Sequence, residues 1–240
     1  MSKTYSDKGY NIIADDIVKI LRTEDILRKD RTVMDIGCGP GTYAFRISPL
    51  VKEVTCIDSS WPMLGRVKSE SADRHADNIS VTLCDCKRIP DDLICDVAFS
   101  SLCPPMNDPK MILSMERHAR EWCVYVSSAK TGPGIETEIW KELGCDYSYG
   151  GYMTSYPDSF LKSVGRETSL VFLEQRNTET IPLENCISTF RRKISRFRPI
   201  TEREEQAIRT VVSRHADGDT VILDSNSRMG LLYWRPNVTL

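Results

Sequence analysis

Val33-Met-Asp-Ile-Gly-Cys-Gly-Pro-Gly-Thr42 is the stretch on which the reading of this chain turns. A short apolar run, Thr32 to Ile36, carries Asp35 and ends in Gly37, Gly39 and Gly41, and a helix is expected from about Thr42 to Ser48. Strand, glycine turn and helix in that order are the first crossover of an open α/β sheet, where a ligand crevice lies. Glycines at alternate positions leave the backbone bare, so a ligand can approach it closely. The helix start behind them offers unpaired N–H groups and a positive dipole end. The spacing separates ligand classes. A dinucleotide fingerprint reads G-x-G-x-x-G. Counted from Gly37 its third glycine falls on Thr42, which disfavours a nicotinamide oxidoreductase. The pattern present is G-x-G-x-G with an acid two residues before it.

Outward from this turn the same alternation continues. Val54–Ile57, Ile79–Leu83, Ile94–Phe99 and Trp122–Val126 are short, nearly continuous apolar runs, as buried parallel strands are. Between them lie helix-period segments over 15–27, 61–71 and 109–122. The alternation predicts an α/β fold, a doubly wound, Rossmann-like, mostly parallel sheet. Asp58 ends the second strand, 21 residues after Gly37, and Asp85 ends the third, 27 residues after Asp58. A carboxylate at the first position can accept from vicinal ribose hydroxyls. One at the second can accept from an exocyclic amine such as that of adenine.

After residue 128 the pattern changes. Short helices are expected over 135–143 and 157–164, an extended run over 168–174, and helices over about 182–197 and 201–216. Two closing strands are expected around the Asp-Ser-Asn-Ser turn within 220–234. The expectation is one domain over 1–240, with about 129–218 a helical and loop elaboration that covers the substrate.

Four segments together resemble the class I S-adenosylmethionine-dependent methyltransferases: Asp35-Ile-Gly-Cys-Gly-Pro-Gly41, Cys56-Ile-Asp58, Cys84-Asp-Cys86 followed by Ile89-Pro90, and Cys95-Asp-Val-Ala-Phe-Ser100. The resemblance covers residues 10–128. It implies a seven-stranded sheet with an antiparallel last strand, S-adenosyl-L-methionine as cofactor and S-adenosyl-L-homocysteine as product. It gives the methionine part of the cofactor to Gly37, Gly39 and Gly41, with Asp35 fixing the loop or the amino group. It gives the ribose to Asp58 and the adenine to Asp85, with Met63 packed on the base. Cys38, Ser59, Cys86 and Ser100, beside these positions, complete the candidate cofactor contacts. Tyr10 is another, because related enzymes close the cofactor with an aromatic from the N-terminal segment.

The acceptor side is less legible, and no catalytic residue is assigned. In-line transfer from a sulfonium rests largely on positioning, and a base is needed only where the acceptor must lose a proton. Ser100-Ser-Leu-Cys-Pro-Pro-Met106 is similar to the Asn-Pro-Pro-Tyr motif of amino-group methyltransferases, but Cys103 stands at the amide position and Met106 at the aromatic one. Cys103 is read as a loop cysteine beside the cofactor, with a nucleophile as the alternative. Tyr147, Tyr149 and Tyr152 are candidate substrate contacts, an aromatic lid or a ring-packed structural loop. His75, His118 and His215 read as surface histidines. Cys84-x-Cys86 has no second pair at ligand spacing, so no metal is expected.

Composition bounds the rest. Of 240 residues, 40% are hydrophobic and 28% charged, an ordinary globular balance. The net charge is −2, so the chain as a whole is no polyanion binder. Nine cysteines without an apolar leader fit a reduced, cytoplasmic protein. No apolar run is long enough for a membrane span. Phe190–Arg198 holds five basic residues and no acid, a solvated helix face or a contact for an anionic partner. The reading is a methyltransferase for a small-molecule acceptor, of undetermined oligomeric state. The alternatives are an RNA or DNA methyltransferase using the basic 190–198 helix, and a non-catalytic S-adenosylmethionine-binding protein.

Overall fold

A computed structural model describes residues 8–129, 134–145 and 155–237. In chain order the elements are α1 (Lys8–Thr23), β1 (Thr32–Ile36), α2 (Ala44–Ile47), β2 (Glu53–Asp58), α3 (Trp61–Asp73), β3 (Ile79–Leu83), β4 (Cys95–Ser101), α4 (Pro109–Ser114) and β5 (Ala119–Ser128). Then come α5 (Ile135–Glu142), α6 (Ser155–Ser163), β6 (Thr168–Pro182), α7 (Leu183–Ile194), α8 (Glu202–Arg214), β7 (Ala216–Asp217) and β8 (Thr220–Trp234). The sheet runs β3-β2-β1-β4-β5-β8-β6, with β7 paired to β8 off that path. β1 to β5 pair with one another in parallel, and β8 is antiparallel to β5 from Cys123↔Trp234 to Ser128↔Met229. The path holds the seven strands, mostly parallel with a reversed last strand, that the family resemblance implies, and β7 makes an eighth.

The strand period of two builds a core on each face. Val33, Val97, Phe99, Val124 and Val126 pack with Ile13, Ile17 and Leu21 of α1. Met34, Ile36, Ala98, Cys123 and Tyr125 pack on the other face with Ile112 of α4 and Leu161 of α6. The chain winds from β1 to β3 in one direction and from β4 onward in the other. The switch therefore falls between β1 and β4, and the loops after them flank it.

Two compact units separate in the chain. One holds residues 1–129, 152–174 and 228–240, and the other 130–151 and 175–227. The second unit thus draws on chain from both sides of the stretch that carries α6 and the start of β6. The second unit has its own core, in which Ile139 and Trp140 of α5, Ile187 and Phe190 of α7, and Ile208 and Val212 of α8 pack together.

Three expectations are corrected. The helix read over 109–122 stops at Ser114, passes through a 3-10 turn at 115–118 and gives way to β5 at Ala119. Ile112, Met115, Ala119 and Cys123 do share one core. Trp122 packs on the opposite face, so the period past Ala119 is two, not 3.6. His118 is buried at 3% exposure, its Nδ1 3.1 Å from the Leu93 carbonyl oxygen. The pair of strands read around Asp224–Ser227 is one strand, β8, of 15 residues beside β6 of equal length. Pairing along β6 carries the extended backbone through residues that elsewhere favour a turn.

Candidate functional site

The ends of β1, β2, β3 and β4 converge on one cavity of about 550 Å³. Three of its walls come from stretches the sequence marks. Gly37 N–H and Cys38 N–H both donate to the Ile57 carbonyl, at 2.8 and 3.0 Å, which ties the glycine loop to β2. Gly37, at φ +73°, packs so tightly that a Cβ there would lie 2.4 Å from Cys103 Sγ. Gly39, at φ +54°, differs, since a Cβ there meets nothing within 4 Å. Its Cα faces open cavity, which is the cradle a ligand needs.

Asp58 organises the loop before any ligand arrives. Its Oδ2 accepts Gly39 N–H at 2.9 Å and its Oδ1 accepts Ser60 N–H at 2.8 Å. Each oxygen keeps lone-pair capacity for one more donor. Asp35 is 2% exposed, and its Oδ2 has no hydrogen-bond partner among the described residues. Burial, and secondarily the neighbouring Asp58, push its carboxyl up to about 7. A buried acceptor without a donor is costly, and here it lies on the wall of an open cavity. Asp85 is exposed, and its Oδ1 accepts Lys87 N–H at 2.9 Å, capping the short turn after β3.

Asp35, Gly37, Cys38 and Gly39 line this cavity together with Asp58, Ser59 and Met63, and so do Asp85, Cys86 and Cys103. Two candidates fall elsewhere. Gly41 packs on Phe45 and Val67 instead. Ser100 is fully buried, its Oγ donating to the Ile36 carbonyl at 2.9 Å, and the next residue, Ser101, lines the cavity in its place. Tyr10 lies in α1, but its side chain is outside the described residues, as are Tyr147, Tyr149 and Tyr152. Leu102 went unnoticed in the sequence, yet it lines the cavity at φ +48°. A positive φ at a bulky residue is strain of the kind that collects at functional sites. Its only sequence signal is its place after a strand end.

The chemistry of the donor set is one-sided. Among the described lining residues stand three carboxylates and no Lys, Arg or His. Such a wall suits a ligand with cationic centres and many hydrogen-bond donors, not a pyrophosphate. Cys103 is pushed up to about 12, chiefly by burial and then by Cys86, so its thiolate, the nucleophilic form, is disfavoured. Among the described residues no group of three His, Cys, Asp or Glu is placed to hold a metal.

Residues 33–121 match the family model described as "Methyltransferase domain". No curated protein matches the chain in sequence. Several solved structures share its fold. The YcgJ protein of Bacillus subtilis is 14% identical with a TM-score of 0.60, over 93% of this chain and 99% of that one. Precorrin-6y C5,15-methyltransferase of Geobacter metallireducens is 14% identical with a TM-score of 0.56, over 98% and 93%. Magnesium protoporphyrin IX methyltransferase of Synechocystis, solved with bound S-adenosylhomocysteine, is 13% identical with a TM-score of 0.55, over 93% and 83%. Residues 33–121 are thus similar to a methyltransferase domain, and the chain shares the Rossmann-like fold of these solved structures.

Proposed function

We propose that the chain methylates a small-molecule acceptor by direct in-line transfer, with the donor in the cavity at the ends of β1 to β4. The observation that carries the choice of acceptor class is the fate of the basic stretch 190–198. Arg191 is paired with Glu205 at 2.5 Å, Lys193 with Glu136 at 3.1 Å and Arg198 with Glu204 at 2.8 Å. Three of the five cations of the stretch are thus met by carboxylates within its own unit, which leaves only the exposed Arg192 and Arg196 for phosphates to neutralise.

In this reading each residue has a task. Gly39 leaves room for the methionine part of the donor, and Gly37 with Cys38 holds the loop in register. Asp35 accepts from the donor's ammonium group, which satisfies its orphaned oxygen. Asp58 accepts from the ribose hydroxyls, Asp85 from the adenine amine, and Met63 and Cys86 pack beside the base. When bound, S-adenosylmethionine supplies a methyl group already activated on a sulfonium. The loop Ser101–Pro105 forms the wall against which the acceptor is aligned, so the rate comes from positioning. Residues 129–218, Tyr147, Tyr149 and Tyr152 included, serve acceptor choice.

The test is to incubate the chain with methyl-labelled S-adenosylmethionine and cell extract split into metabolite and nucleic-acid fractions. Label in the metabolite fraction is expected. Label in the nucleic-acid fraction, lost as salt rises, would favour the 190–198 contact. S-adenosylhomocysteine binding with no label in any fraction would mean a binding protein that does not catalyse.

A further inference from the structure

Leu102 sits where neither the turn nor the core asks for leucine. Among the described residues three that are not glycine have a positive φ, Asp25, His75 and Leu102. Asp and His enter that region comparatively often, whereas a bulky apolar residue there is strained. Glycine would make the same turn without strain. The core does not use the side chain either, since Leu102 is 43% exposed. What it does meet is the cavity, whose wall it forms with Pro104 and Pro105. That wall is fixed before any ligand arrives. Leu102 N–H donates to the Val126 carbonyl and Met106 N–H to the Cys103 carbonyl, both at 2.9 Å. Cys103 seats on Gly37, and Met106 is buried. At the far end of the turn Tyr125 Oη donates to Asn107 Oδ1 at 2.9 Å. With the Leu102 N–H spent and none on either proline, residues 102, 104 and 105 meet a ligand through apolar surface.

We propose that Leu102 is the specificity-determining residue of the acceptor side, and that with Pro104 and Pro105 it selects acceptors whose reacting atom is carried on an uncharged, apolar ring. The inference rests on the reading of this cavity as the donor site and narrows the acceptor class of that reading. An apolar ring gains by leaving water against the leucine and the two proline rings. A ring is also rigid, and the turn is already ordered, so docking one on the other freezes few torsions on either side. The same cavity holds the carboxylates of Asp35, Asp58 and Asp85. They suit a cationic donor and repel an acceptor that carries a carboxylate or phosphate of its own. The strain at Leu102 is then the stability given up to hold an apolar side chain at the wall.

The experiment takes the full chain saturated with S-adenosylhomocysteine and titrates it with N-phenyl-1-naphthylamine, an uncharged ring probe whose fluorescence rises in apolar surroundings. The expected result is saturable binding, weakened at least about ten-fold in Leu102→Asp and kept within about two-fold in Leu102→Met. Leu102→Gly should weaken it at least about five-fold, while its urea unfolding midpoint stays at or above that of the parent chain, because glycine relieves the backbone. S-adenosylhomocysteine affinity should hold within about three-fold in all three variants, a smaller change than the probe shows. Probe binding indifferent to Leu102→Asp, no probe binding to the loaded chain, S-adenosylhomocysteine affinity that falls as far as probe affinity, or a Leu102→Gly chain less stable than the parent would overturn the inference. A folded chain that does not bind S-adenosylhomocysteine at all would instead overturn the donor-site reading beneath it.

Discussion

Asp35 holds the sharpest tension in the molecule, a buried carboxyl with an unpartnered oxygen. Because its folded-state value is raised to about 7, the native chain keeps a proton that the unfolded chain releases above its ordinary value of about 4. Stability from this group is therefore present at low pH and is lost as pH rises toward 7. Urea unfolding at pH 5 and pH 8 should show this fall, and Asp35→Asn should flatten it, gaining about 1–3 kcal/mol at pH 8. The two glycines beside it should part company. Gly37→Ala drives a Cβ to 2.4 Å from Cys103 Sγ, and should lose at least about 2 kcal/mol of stability as well as the cofactor site. Gly39→Ala meets only open space, and should cost about 1–2 kcal/mol for its left-handed backbone while still excluding the cofactor. Unfolding midpoints and S-adenosylhomocysteine titrations of both variants distinguish the two effects. The acids and glycines were legible because each sits at the end of an apolar run. Ser100 was not, because Ser100 and Ser101 are chemically equal neighbours and only the pleat decides which one the cavity sees.

Elements are joined by contacts that no local pattern reveals. Glu116, in the turn before β5, accepts from Arg166 through Nε and Nη2, both at 2.8 Å, and from Trp234 Nε1 at 2.9 Å. The partners lie 50 and 118 residues away in sequence. Arg166→Leu leaves the buried Glu116 carboxylate without its counter-charge, and should destabilise the chain by about 3–5 kcal/mol in urea unfolding. A loss below about 1 kcal/mol would show that solvent reaches the carboxylate. The strands β1 to β5 were legible from apolar runs, as was the reversal of β8 through the family resemblance. The end of α4 was not, because Ile112, Met115 and Ala119 fit a helical face and a helix-to-strand junction equally well. The unbroken course of β8 was hidden for the opposite reason, since its polar centre carries turn chemistry that pairing with β6 overrides.

At the scale of the molecule, charge decides the kind of partner. With Arg191, Lys193 and Arg198 paired inside the second unit, methyl transfer should change by less than about two-fold between 50 and 200 mM salt, against the about 10³–10⁵-fold loss of affinity expected of a protein making many phosphate contacts. The second unit itself was not legible as a unit, because 130–151 and 175–227 come together from stretches separated by part of the sheet. No helix among the described residues is long and apolar enough to cross a membrane. The central claim is that the cavity at the strand ends holds the methyl donor, and calorimetric titration with S-adenosylhomocysteine tests it most directly, with Asp58→Ala as the comparison. Asp58 secures Gly39 and Ser60, so its loss should weaken micromolar-range binding by about 1–3 kcal/mol, roughly five- to 150-fold. A folded chain, free of copurified ligand, that binds no S-adenosylhomocysteine, or that binds it equally well without the Asp58 carboxylate, would contradict the account.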